Sequence, residues 1–319
     1  MSVASARRVS ELIGNTPLVR LERLDAGARQ PVLAKCEHLN PGGSIKDRIA
    51  LAIIADAEQR GLLAPGATIV EATAGNTGVG LALVGAERGY NVACVMPNKM
   101  SVDKRRALAA QGAQVIITPD VSFGDPQHFQ AVAARLADER GWFLADQFRN
   151  PANVEVHARE TAREILEQTG GRVGAFVVGA GTGGTISGVG RALKAHDARV
   201  RVVLADPAQS ALAAWVEHGE LGEAGSYKVE GIGGSVVPEN LHGDVIDEAL
   251  RVSDEDSFAT AARLWREQGL LVGGSAGTNV AAALRVAARD DIDGAVVTVL
   301  PDGWDRYRST EWMQRLADG

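Results

Sequence analysis

The sequence predicts an α/β protein of doubly wound architecture, and three observations predict it. Short runs rich in β-branched residues alternate with longer helical patterns. The runs are continuously apolar rather than alternating, as parallel strands covered on both faces are. Glycine is abundant, 37 residues with no low-complexity tract, which points to loops of positive φ or close approach to a ligand. At about 150 residues per domain, the chain has length for roughly two.

The strand candidates in order are ATIVEAT (67–73), NVACVMP (91–97), AQVIITP (113–119), GAFVVGAG (174–181), RVRVVLADP (199–207) and GAVVTVLPD (294–302). Between them, NTGVGLALVGAERG (76–89), SVDKRRALAAQG (101–112), QHFQAVAARLADERG (127–141) and HARETAREILEQTG (157–170) read as helices, several ending on the Gly that a left-handed cap requires. The Asn-Pro break in ADQFRNPANVEVH marks the expected passage between two domains, residues 1–147 and 148–319.

Charge and cysteine usage exclude several classes. A net charge of −7 leaves no basic stripe for a phosphate backbone, so nucleic acid is not an expected partner. Residues 1–14 hold no signal-like apolar stretch, and no segment approaches the ~18 apolar residues of a membrane span. Cys36 and Cys94, the two cysteines, are too few for a disulfide framework. A cytoplasmic protein without membrane partners is expected. The six histidines show no ligand spacing, and no metal is expected. Cys36 and His38 are read as sharing the face of a strand, Cys94 as a core thiol, and DKRR (103–106) as a solvated helix face.

Ligands of open α/β sheets bind where strand ends run into helix N-termini, and two glycine loops have that placement. EATAGNTG (Glu71 to Gly78) offers backbone N–H groups for a carboxylate. GAGTGGT (Gly179 to Thr185) offers amides and two hydroxyls for a phosphate. The second loop also spells G-x-G-x-x-G, with Asp206 ending a later strand, so a nicotinamide dehydrogenase and a ligand-free tight turn both stay open. In LNPGGSIKDR, Lys46 follows a Gly-Gly-Ser turn and begins an apolar helix. The positive helix end favours an uncharged, nucleophilic amine there, while an exposed first-turn lysine is the bland alternative.

Together, NPGGSIKDR, ATAGNTG and GTGGT, in this order, resemble the pyridoxal-phosphate (PLP) enzymes of the tryptophan-synthase-β type, in the cysteine synthase and cystathionine β-synthase branch. The resemblance runs from GNTPLV (Gly14 to Val19) to LPDGWDRYRST (Leu300 to Thr310). It implies two doubly wound domains of fold type II with the cofactor in the cleft between them, the first carrying the Schiff-base lysine and substrate carboxylate loop, the second the phosphate loop and ring-nitrogen serine. By position, Lys46 is similar to the lysine joined to the cofactor, which then serves as base at Cα. Asn76 matches the partner of the pyridoxal 3′-oxygen. Gly181, Thr182, Gly183, Gly184 and Thr185 match the phosphate loop, and Ser275 in VGGSAGTN matches the serine facing the ring nitrogen. Thr73, Ala74, Gly75 and Thr77, with Gln147, match the grip on the amino-acid carboxylate.

PLP is an electron sink, so the protein needs only to fix it and place a base. A neutral Ser275 leaves the ring nitrogen a weaker sink than an Asp-paired pyridinium, which favours prompt β-elimination. PNKMS (97–101), ADPAQSALA (205–213), YKVEGIGG (227–234) and GLLVGGSAG (269–277) resemble cystathionine β-synthase more than the sulfhydrylases. The implied reaction is β-replacement on L-serine, or an activated serine, with homocysteine as thiol acceptor. O-acetylserine sulfhydrylase is the alternative. Glu230 is a candidate for the leaving hydroxyl or the second substrate's amine, against a surface carboxylate. Ala74 and Gly303 depart from the Ser common at both places. With 13 residues before GNTPLV and nine after Thr310, haem and adenosylmethionine control are not expected. Relatives are commonly homodimers, and Trp304 suits either a cavity wall or an oligomer contact.

Overall fold

A computed structural model describes residues 8–318, so the first seven residues of the leader reading lie outside it. The chain forms two compact units: residues 8–14 with Asn40–Ala152, and Asn15–Leu39 with 153–318. The chain thus passes between units three times, where a single boundary at 147/148 was expected from the sequence. The third passage falls inside ADQFRNPANVEVH.

The first unit holds a parallel four-stranded sheet in the order β5-β4-β3-β6, built from β3 (Thr68–Ala72), β4 (Asn91–Pro97), β5 (Gln114–Thr118) and β6 (Phe143–Leu144). Helices α1 (Lys46–Gln59), α2 (Asn76–Arg88), α3 (Val102–Ala110) and α4 (Phe129–Arg140) accompany it. Val70, Ala72, Ala93 and Val95 bury one sheet face against Val132, Ala133 and Leu136 of α4, which removes both strand and helix apolar surface from water. The connections step from β3 outward to β4 and β5, then return to β6 on the other side of β3.

The second unit has the order β1-β2-β10-β7-β8-β9. Its strands are β1 (Leu18–Arg20), β2 (Val32–Lys35), β7 (Val173–Val178), β8 (Arg201–Pro207), β9 (Glu248–Val252) and β10 (Ala295–Val299). Only the β1–β2 pair is antiparallel. All six β7 residues are buried, the burial that a continuously apolar run predicts. The order reverses at β7, with β8 on one side and β10 on the other. Helices of this unit are α5 (Ala152–Val156), α6 (Ala162–Thr169), α7 (Gly184–His196), α8 (Leu212–His218), α9 (Asp254–Gln268), α10 (Gly274–Ala287) and α11 (Glu311–Asp318). A π-helical turn, His157–Thr161, joins α5 to α6, so the expected helix at 157–170 is the second part of a longer helical stretch.

The chain leaves β2 at Lys35, and His38 lies in a 3-10 turn, Glu37–Leu39. Cys36 and His38 therefore do not share a strand face. Cys94 is buried in β4, and burial pushes its thiol up to about 12. Among the described residues no helix is long and apolar enough to cross a membrane.

Candidate active site

Each sheet reverses its strand order once, and ligands of such sheets bind beyond the carboxyl ends at that reversal. In the first unit the reversal lies between β3 and β6. The loop after β3 is Thr73–Gly75 running into α2, and the loop after β6 contains Gln147. Two stretches 70 residues apart in sequence meet there: the Thr77 hydroxyl donates to Gln147 Oε1 at 2.6 Å.

The TAGNT loop is shaped by backbone requirements. Gly75 holds φ 146°, a region closed to side-chain-bearing residues, and its N–H donates to Thr73 Oγ1 at 3.0 Å. It precedes α2 with no side chain capping the helix, whereas α3 begins on Ser101, which accepts from the Lys104 N–H. Gly75, having no side chain, caps none of the first-turn amides of α2. Ala74 is exposed and Gly75, Thr73 and Thr77 are buried.

Lys46 is the first residue of α1 and half-buried. Its place is set by glycine: a Cβ on Gly80 of α2 would lie 2.9 Å from Ala50 Cβ and 3.0 Å from the Lys46 carbonyl. Only glycine lets α2 approach the first turn of α1 so closely, and this brings Lys46 beside the helix that starts with Asn76. Asp47, fully buried, accepts from the Gly42 N–H at 2.5 Å and ties NPGGS to the helix start.

In the second unit the reversal lies between β7 and β10, and the loops there are 179–183 and Leu300–Gly303. Gly183 has φ 87°, and a Cβ on it would lie 2.5 Å from the Leu241 amide nitrogen. A Cβ on Gly181 would run into the Gly231 carbonyl. Helix α7 starts directly after Gly183 without a side-chain cap. Asn153 Nδ2 donates to Thr182 Oγ1 at 3.0 Å, and Thr185 Oγ1 lies 3.2 Å from His157 Nε2. His157 Nδ1 lies 2.9 Å from Thr161 Oγ1, across the π turn. Neither Asn153 nor His157 was foreseen as part of the site, although their i, i+4 spacing in NVEVH sets both on one helix face.

Ser275, 3% exposed, lies in the first turn of α10. The strand-like bridge Val272↔Gly303 joins the loop before it to the loop after β10. Tyr307 donates to Asp302 Oδ2 at 2.7 Å, and burial with these neighbouring carboxylates raises its hydroxyl well above the ordinary range. Glu230 is half-buried, and its charge acts on Tyr307. It therefore belongs to the Tyr307–Asp302 neighbourhood rather than to open surface. Trp304 packs edge-on against Trp265 at 5.6 Å. Asp206, the ribose acceptor of the nicotinamide alternative, is fully buried and accepts from the Ala213 N–H at 2.8 Å. It serves the start of α8.

Comparison with known proteins gives the family and the fold. The chain is 44% identical to cystathionine beta-synthase of Apis mellifera over 310 residues, which are 95% of this chain and 61% of the bee protein. It superposes on O-ureido-L-serine synthase with a TM-score of 0.90 and 38% identity, over 99% of this chain and 97% of that one. It superposes on the O-acetylserine dependent cystathionine beta-synthase from Helicobacter pylori with a TM-score of 0.87 and 34% identity, over 97% and 99% of the two chains. The family described as "Pyridoxal-phosphate dependent enzyme" matches residues 9–302, which overturns the nicotinamide reading of GAGTGG. With the two reversal-point loops, the lysine at the start of α1 and this match over most of its length, the chain belongs to the pyridoxal-phosphate dependent enzymes and has their fold type II architecture.

Proposed function

We propose that the protein catalyses β-replacement on L-serine, with homocysteine as the thiol acceptor that yields cystathionine. The observation that carries this reading is the topology. In each unit one motif loop sits at the single reversal of the sheet, with Lys46 packed against the helix of the first.

The residues present fit the cofactor. Gly181 and Gly183 have no room for a Cβ, which would run into the Gly231 carbonyl and the Leu241 backbone, so only glycine keeps this turn, and the start of α7 supplies backbone donors for a phosphate. Asn153 donates to a lone pair of Thr182 Oγ1, so the Thr182 hydroxyl hydrogen is directed elsewhere and suits an anion. PLP, when bound, supplies an electron sink for the substrate Cα. Lys46 Nζ would hold its aldehyde, Asn76 its 3′-oxygen, Gly181–Thr185 its phosphate and Ser275 its ring nitrogen. Thr73, Ala74, Gly75 and Thr77 would hold the substrate carboxylate, with Gln147, whose amide hydrogens go to Glu71 and the Ala72 carbonyl, holding the Thr77 hydroxyl in place. Lys46 Nζ would take the proton from the substrate Cα; the hydroxyl would leave Cβ as water with a proton supplied to it, and the thiol would give up its proton as its sulfur adds there. Glu230, beside Tyr307 and Asp302, serves the leaving hydroxyl or the acceptor's amine.

A solved neighbour named for O-acetylserine dependence makes acetate the alternative leaving group, and sulfide the alternative acceptor. Steady-state assays decide: turnover of serine with homocysteine is expected, and turnover of O-acetylserine with sulfide alone would reverse the order. A homodimer in a reducing cytoplasm goes with this reading, and both cysteines are free, buried thiols.

A further inference from the structure

The first unit contains a fully buried carboxyl that the proposed chemistry does not use. Glu71 is the one charged residue of β3 and is 0% exposed. The Gln147 backbone N–H donates to its Oε2 at 3.3 Å and Gln147 Nε2 donates to its Oε1 at 3.0 Å. Gln147 Nε2 also donates to the Ala72 carbonyl at 2.9 Å, and Gln147 Oε1 accepts the Thr77 hydroxyl at 2.6 Å.

An amide has two donor hydrogens on one side and an acceptor on the other. Turning Gln147 over would set Oε1 against the Glu71 carboxylate and against the Ala72 carbonyl, acceptor facing acceptor. Glu71 therefore dictates the orientation of Gln147, and Gln147 dictates where the Thr77 hydroxyl points. A second observation marks the same place. Asp146, immediately before Gln147, holds φ 50°, and its backbone N–H also bonds Glu71. A non-glycine residue in the left-handed region persists where its surroundings hold it.

We propose that Glu71 is a positioning residue for the amino-acid carboxylate subsite, acting through Gln147 on Thr77 and the start of α2. This rests on the reading of Thr73–Thr77 as that subsite. Burial pushes the Glu71 carboxyl up to about 8 against the pull of its N–H donors. The titratable groups acting across the site are Asp146, which adds a like charge, and Cys94, paired with Glu71 across β3 and β4 and neutral because burial raises its thiol to about 12. The positioning effect is accordingly strongest above about pH 8, where the carboxyl is ionised.

The test uses the PLP-loaded full chain and L-serine, with the dissociation constant read from the change in cofactor absorption. Glu71→Gln keeps the shape and removes the charge. Its serine dissociation constant is expected to rise about tenfold above about pH 8 and to approach wild type near pH 6, with turnover at saturating serine changed less than about threefold. Its cofactor affinity stays at the wild-type value. Glu71→Asp, which withdraws the charge by one methylene, carries the same expectation if the first variant does not fold. Serine affinity within about twofold of wild type in the folded variants overturns the proposal, as does an equal loss of cofactor affinity, which would mark general loosening. Absence of any serine-induced change in the wild type overturns the proposed function, and this inference with it.

Discussion

The two units hold their motif loops by opposite uses of the hydroxyl group. In the first, Thr77 gives its hydrogen inward to Gln147, which is itself held by a buried carboxyl. In the second, Thr182 receives an N–H from Asn153 and keeps its hydrogen for what lies beyond the loop. The first arrangement suits a ligand that arrives and leaves with every turnover, because binding competes with an internal bond. The second suits a ligand that stays, because the donors stand ready at no cost in broken contacts. The backbone differs in the same sense. Around Gly75 the space for a Cβ is nearly open, the nearest atom being Lys104 Cδ at 3.6 Å, while Gly183 is closed in by the Leu241 backbone.

The largest effect expected of this comparison is therefore at Gly183. Gly183→Ala meets both a left-handed φ and a backbone neighbour 2.5 Å from the new Cβ, and the protein is expected to lose about 2–4 kcal/mol of stability together with its cofactor. Denaturant titration and cofactor content check it. Gly75→Ala meets only the backbone penalty of about 1–3 kcal/mol; its KM for serine rises while cofactor content holds. If the two variants behave alike, the contrast between units is wrong.

A smaller effect separates the supports of the two loops. Asn153→Ala or His157→Ala is expected to weaken PLP binding by about tenfold, the worth of one buried hydrogen bond. Equilibrium dialysis measures it, and serine affinity at saturating cofactor should not move.

The first unit also carries a pH dependence of stability that the second loop's supports do not share. Glu71 holds its proton to about 8 in the folded chain, against 4.5 as its ordinary value. The folded state thus binds more protons over that window, so this group's contribution to stability falls as pH rises through it and is constant outside it. Unfolding midpoints of wild type and Glu71→Gln are expected to diverge between pH 5 and 8, with the variant gaining relative to wild type at the alkaline end.

Six strands were legible because each is a continuous apolar run; five of them are largely buried, while β5 lies at a sheet edge with Ile117 exposed. The four that were not are short or mixed: β6 has two residues, β1 three with Arg20 exposed, β9 reads EALRV at an edge, and β2 ends on Lys35. Lys35 is buried with Glu164 paired to it at 2.6 Å and the Thr16 carbonyl and Gln168 accepting from it, long-range facts that no local pattern carries. The Asn-Pro break read as the passage between halves is also the start of a helix. Asn150 Oδ1 accepts the Ala152 N–H at 3.0 Å, and Pro151 stands where a missing N–H costs nothing.

The motif loops were legible as glycine clusters, and their supports were not. Glu71 carried a usable signal, a carboxylate inside an apolar strand, but its meaning depends on Gln147, 76 residues away. The β3–β6 reversal makes them neighbours.

The central claim is that Lys46 Nζ carries the cofactor. Borohydride reduction of the PLP-loaded protein, followed by peptide mass mapping, is expected to find the reduced pyridoxyl group on the peptide containing Lys46. The label on another lysine, or no label in protein that retains stoichiometric PLP, would contradict it.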